Sequence, residues 1–135
     1  MYLLDTDIIS NLVRPRPSEK LIARLGETDG RELAISVVTL MELYLGERLA
    51  SRPEPIREFI EDFVLPTVTV IDFDREQAAT AAGIQANLRR TGKPLDWLDI
   101  MIAACALRTG RTLVTGNLGH YQRISGLKIE NWLED

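Results

Sequence analysis

Short apolar runs rich in β-branched residues alternate with longer helical stretches along the whole chain, and this alternation limits the fold more than any other feature. YLL (2–4), ELAIS (32–36), TVTVID (67–72), RTLVT (111–115) and LKIEN (127–131) read as strands. Helical patterns fall between them at about 7–13, 18–27, 38–50, 55–64, 75–91 and 97–109. The strands are too apolar to leave one face wet. The pattern therefore predicts an α/β fold, a mostly parallel central sheet of about five strands flanked by helices. RPRP (14–17) and SRPEP (51–55) break helices, and no repeat or low-complexity linker divides the chain, so one domain over 1–135 is expected. Gly92 and Gly110 stand where helices should end, matching the left-handed cap that glycine tolerates.

Composition removes several classes of function. The one cysteine, Cys105, sits in the apolar run IMIAACAL and reads as a core residue, which leaves no disulfide framework and no cysteine zinc site. No run approaches the roughly 18 apolar residues of a membrane span, and the start lacks the basic and apolar regions of a signal peptide. A cytoplasmic location is the expectation. A net charge of −4 argues against a protein that coats nucleic acid by charge alone. The distribution is uneven, however: from Arg89 to Lys128 seven basic residues face only two acids, Asp96 and Asp99. Solvated helix faces explain such a run unless an active site lies beside it.

In parallel sheets, ligands bind at the carboxyl ends of the strands, and that edge collects the unusual polar residues. Asp5 and Asp7 follow the first strand, Ser36 ends the second, and Thr115 to Asn117 follow the fourth. One N-cap explains one of the first two carboxylates but not both, and two so close repel unless a proton or a cation intervenes. Glu42 lies in SVVTLMELYLG, where Thr39 and Glu42 fit a capping box, so helix capping and ligation both stay open. Asp96 in KPLDWLDIMIAACAL is a good N-cap. Asp99 precedes a helix that is apolar all round, where a carboxylate is costly unless paired or bound to metal. Asn117 and His120, in LVTGNLGHYQRI, have ordinary loop explanations. Carboxylates gathered from distant segments, without sulfur and with little histidine, select a hard cation, Mg²⁺ or Mn²⁺. Such an ion acidifies water for attack on a phosphodiester. Arg89, Arg90, Lys93, Arg108 and Arg111 would then hold the flanking phosphodiester backbone.

These motifs resemble the PIN-domain family, and in particular its VapC-type toxins and their FitB-like relatives. LLDTDIIS resembles the opening strand with its first acid, Asp5; SVVTLMELYLG resembles the second motif around Glu42. GKPLDWLDIMIAACAL resembles the third, with Asp99 as its acid, and LVTGNLGHYQRI followed by LKIENW resembles the end of the domain. The resemblance covers the whole chain. It implies a metal-dependent endoribonuclease of a VapBC-like toxin–antitoxin pair, a hydrolase that cuts structured RNA such as tRNA or rRNA. Asp5, Glu42 and Asp99 would be catalytic metal ligands for Mg²⁺ or Mn²⁺, with Asp7 and Asp96 as further candidates. Thr6, Thr115, Asn117 and His120 would support them. The expected partners are a VapB-like antitoxin and a second copy in a homodimer. Two departures stand out: Asp7 where the family often has Asn, and His120 where many relatives carry an acid.

Two other readings fit parts of the sequence. A haloacid-dehalogenase-like phosphatase would use Asp5 as its nucleophile, but Ile9 stands where that family prefers Thr or Val. Its last acids should also follow a strand rather than open a helix. A PIN-type module that binds RNA or a partner, with catalysis weakened by His120, is the non-enzymatic alternative.

Overall fold

The computed structural model describes residues 1–133. Five strands, β1 (Tyr2–Leu4), β2 (Leu33–Ser36), β3 (Thr69–Ile71), β4 (Thr112–Val114) and β5 (Ile129–Glu130), form one sheet in the order β3-β2-β1-β4-β5. Every pairing is parallel, with Leu3 opposite both Ala34 and Leu113, and Leu4 opposite Val114. The expected α/β fold is therefore present, with β1 matching its run and the other strands up to three residues shorter than theirs.

The two-residue period of a strand sends alternate side chains to opposite faces, and here both faces are buried. Leu4, Leu33, Ile35 and Val114 pack with Ile8, Ile9, Leu21 and Val64 on one side. Leu3, Ala34 and Leu113 pack with Ile102, Ala103, Cys105 and Ala106 on the other. Helices α1 (Thr6–Asn11), α2 (Glu19–Glu27) and α3 (Val37–Leu49) precede the break at 50–53. Past it, α4 (Glu54–Phe59) runs through a π-helical turn (Ile60–Val64) into α5 (Leu65–Thr67), where a single helix over 55–64 is expected from sequence. Helix α6 (Arg75–Arg90) packs along α7 (Trp97–Thr109), and Gly110 closes α7 in the left-handed conformation at φ +66. A short α8 (Leu118–Tyr121) follows β4, within a stretch that carries no helical period in the sequence.

From β1 the chain winds outward through β2 and β3, then returns to the other side of β1 for β4 and β5. Neighbouring connections diverge at the carboxyl ends of β1 and β4, which opens a crevice there. Asp5 leaves β1 and Thr115 leaves β4 at this point. Their amides continue the ladders, Asp5 N–H to the Val114 carbonyl at 2.9 Å and Thr115 N–H to the Glu130 carbonyl at 2.9 Å.

Candidate active site

Asp5 is held rigidly at the crevice and is only 3% exposed. Its Oδ1 accepts from the Thr6 amide at 2.8 Å, which makes it the N-cap of α1, and its Oδ2 accepts from the Thr115 hydroxyl at 2.9 Å. Thr115 is fully buried and also accepts from the Asn117 amide at 2.9 Å. The cap of α1 thus falls to Asp5, and Asp7 has a different partner. The Gly116 amide donates to Asp7 Oδ2 at 2.8 Å, while Asp7 Oδ1 is buried without any hydrogen-bond partner. The approach is close: a Cβ at position 116 would sit 2.8 Å from Asp7 Oδ2 and 2.9 Å from Leu133 Cδ1, so both side chains would have to shift.

Electrostatics mark the same cluster. Burial, then the charge of Asp7 and more weakly that of Asp99, pushes the Asp5 carboxyl up to about 7 from an ordinary 3.8. Burial also raises Asp7, opposed by the Gly116 amide, with Asp99 adding repulsion. Three carboxylates from β1, α1 and α7 therefore share one field. Asp99 is half-buried; its Oδ1 accepts from the Tyr121 hydroxyl at 3.3 Å, and His120 Nδ1 lies 3.6 Å from its Oδ2. Burial, with the charges of Asp5 and Asp99 beside it, holds the Tyr121 phenol far above its usual range, so it stays protonated and donates.

Glu42 enters through Thr6, whose hydroxyl lies 2.6 Å from Glu42 Oε1 and 3.1 Å from Thr39 Oγ1. The capping-box alternative for Glu42 fails, because Ser36 caps α3 through the Val38 amide at 3.1 Å and Glu42 points to Thr6 instead. The backbone fold explains this: β2 runs straight into α3 at Ser36, three residues before Thr39. Thr6 is thus a link between the first and second acidic motifs.

The donor set suits a hard cation. It consists of carboxylate oxygens, includes a buried oxygen with no partner, and carries repulsion that a cation would relieve. Among the described residues no three His, Cys, Asp or Glu side chains already close into a metal cage. Asp5, Asp7 and Asp99, which lie in one another's field, and Glu42, which is reached through Thr6, would be the residues to hold one.

A family model described as the PIN domain matches residues 2–126. The chain belongs to the PIN domain family. It is 36% identical over 132 residues to Ribonuclease VapC2 of Haemophilus influenzae, covering 98% of each chain. It is 35% identical over 131 residues to the tRNA(fMet)-specific endonuclease VapC of Shigella flexneri, covering 97% of each. The crystal structure of DNA-bound VapBC from Salmonella typhimurium contains a chain that superposes with a TM-score of 0.88 at 34% identity, covering 97% of each chain.

Within this PIN domain several expected positions fall elsewhere or in other roles. Asp96 is exposed and caps α7, its Oδ1 accepting from the Leu98 amide at 2.8 Å. Asn117 contributes backbone rather than side chain: its carbonyl accepts from the His120 and Tyr121 amides and opens α8. Arg108 and Arg111 lie at the opposite end of the sheet. Helix α7 runs from the crevice to the amino ends of the strands, and Arg108 there pairs with Glu76 at 2.6 Å. Arg111 reaches the carbonyls of Tyr2 and Glu32, each at 3.3 Å, at the start of β1 and β2. Asp99 and Arg108 are nine residues apart on α7, a rise of roughly 14 Å, so neither side chain reaches the acids themselves. Arg89, Arg90 and Lys93 lie at the crevice end, where Gln85 of α6 bonds the Leu95 backbone just before α7.

Tyr121 contacts Asp99 but is not identified from sequence, and Gly116 enters there only within the run Thr115 to Asn117. Gly116 had a signal, a glycine directly after a strand between Thr115 and Asn117. Tyr121 had little, because an aromatic beside Ile124 looks like core, and it is also that.

Proposed function

We propose that this PIN domain is a VapC-type toxin, a Mg²⁺- or Mn²⁺-dependent endoribonuclease acting on structured RNA, tRNA or rRNA, and restrained by a VapB-like antitoxin. The observation that carries the reading is the meeting of Asp5, Asp7 and Asp99 at the sheet's switch point, with Asp7 Oδ1 buried and unpartnered. Full-length similarity to chains named as VapC ribonucleases supports it, and so does likeness to a VapBC structure.

Asp5, Glu42 and Asp99, joined by Asp7, are the proposed ligands. A bound Mg²⁺ or Mn²⁺ supplies the acidified water and the positive charge that phosphodiester hydrolysis requires. The chain's own groups prepare the site. Thr115, Thr6 and Gly116 fix one oxygen each of Asp5, Glu42 and Asp7. Tyr121 and His120 orient Asp99. Because Asp5 binds a proton up to about pH 7, cation binding competes with that proton and strengthens as pH rises through this value. Arg89, Arg90 and Lys93 hold the flanking RNA backbone. On α3 the exposed stripe Met41, Tyr44, Leu45 and Leu49 offers a second copy an apolar face, in support of a homodimer.

The test uses the purified chain, freed of antitoxin, with total tRNA and rRNA. Cleavage is expected with Mg²⁺ or Mn²⁺ and is expected to stop with EDTA. RNA binding without cation-dependent cleavage would favour the binding-module reading, and a phosphorylated Asp5 would favour the phosphatase.

A further inference from the structure

Trp97 occupies the first turn of α7, two residues before Asp99, and is 48% exposed. The other tryptophan, Trp132, is 1% exposed and packs in the core. The Arg89 guanidinium carbon lies 5.8 Å from the Trp97 ring centroid, so a cation stands over one face while nearly half of the residue remains in solvent. Arg90 and Lys93 follow Arg89 at the end of α6, and Arg123 reaches the same segment. Arg90 bonds Asn87 Oδ1 at 2.8 Å and Arg123 bonds the Lys93 carbonyl at 2.8 Å. Among the described residues none of these four cations pairs with a carboxylate, whereas Arg24, Arg31, Arg57 and Arg108 all do.

An exposed indole edged by uncompensated cations is the arrangement that binds single-stranded nucleic acid: charge follows the phosphates and the ring takes a base. Two residues along a helix amount to about 3 Å of rise and about 200° of rotation. Asp99 therefore turns toward Tyr121 while Trp97 turns toward α6, both at the same end of α7. A strand wrapping over that end would bring a phosphate to the acids and a base further along the strand to the indole. An apolar protein surface would have to desolvate the four cations, so charge favours the nucleic acid.

We infer that Trp97, backed by Arg89, is a stacking platform for an unpaired nucleobase flanking the phosphate at the acids; this deepens the nuclease reading and rests on it. The experiment uses the full chain carrying Asp5→Asn, in EDTA, so that binding is read without cleavage. The probes are a fluorescently labelled uridine hexaribonucleotide and an abasic strand with the same number of phosphates. Trp97 fluorescence should be quenched by the uridine strand and much less by the abasic one. Trp97→Ala should weaken binding of the uridine strand by about tenfold or more while leaving the abasic strand unaffected, and Trp97→Phe should restore most of the loss. Equal uridine affinity in Trp97→Ala, or equal quenching by both strands, overturns the proposal. So does an indole shielded from acrylamide in the free protein, which would mean that another surface covers it. Cleavage by the chain with Asp5 intact is scored separately. Cleavage with an unmoved Trp97→Ala affinity removes only the platform, and base-dependent binding without any cleavage removes the nuclease.

Discussion

Replacing Asp5 by Asn should stabilise the metal-free protein at pH 8 while abolishing its activity. Burial and Asp7 raise the Asp5 carboxyl from 3.8 to about 7, a shift of about three units. At about 1.4 kcal/mol per unit, ionised Asp5 costs the folded state on the order of 4 kcal/mol at alkaline pH. The folded chain holds the proton more tightly than the unfolded chain. This stabilisation is therefore complete below about pH 4 and is lost as pH rises through about 7. Asn removes the charge but disturbs one of the two bonds. Its oxygen can still accept from Thr6, while its amide can only donate to Thr115, so the bond that the Thr115 hydroxyl donates is lost. Losing that bond costs about 1–2 kcal/mol. The net expectation at pH 8 is a gain of about 2–3 kcal/mol, changing to a loss of about 1–2 kcal/mol near pH 4. Urea unfolding in EDTA across that pH range measures both. Saturating Mn²⁺ should reverse the order at pH 8, since only the parent retains its full ligand set. A variant less stable than the parent at pH 8 in EDTA, or a difference independent of pH, would refute the reasoning.

Other changes separate the roles within the site. Glu42→Gln keeps an oxygen for the Thr6 hydroxyl, so unfolding should move by less than about 1 kcal/mol while RNA cleavage is lost. Gly116→Ala forces a methyl against Asp7 and Leu133; a loss of about 1–3 kcal/mol by urea unfolding and weaker Mn²⁺ binding by calorimetry are expected. His120→Asp adds a carboxylate beside Asp99 and should tighten Mn²⁺ binding; unchanged affinity and rate would put position 120 outside the metal shell. Arg108→Ala breaks an exposed pair at the far end of the sheet and should leave RNA affinity unchanged in a filter-binding assay.

The sheet was legible because its central strands are short, apolar and buried on both faces, so each apolar run contains a strand. Helix ends at Asp96 and Gly110 were legible for a similar reason, since their caps use side-chain and backbone chemistry local to the sequence. The π-helical turn at 60–64 and the short α8 were not, because neither has a periodicity of its own. Within the site, Asp5 and Asp99 stood out as charges attached to apolar segments. The capping box at Thr39 misled in one respect: a strand that runs directly into a helix placed the cap at Ser36 and freed Glu42 to meet Thr6. The basic residues show what linear proximity leaves undetermined. Arg108 and Arg111 are close in sequence to Asp99, yet the length of α7 carries them to the other end of the sheet. Tyr121 stayed hidden because its ring serves the core while its hydroxyl serves Asp99.

The most direct test of a nuclease built on these carboxylates is to induce the chain without its antitoxin and map new RNA 5′ ends, comparing the parent with Asp5→Asn and Asp99→Asn. The account predicts discrete new ends in tRNA or rRNA for the parent and none for either variant at matched expression. The same ends appearing at undiminished frequency in both variants would contradict it.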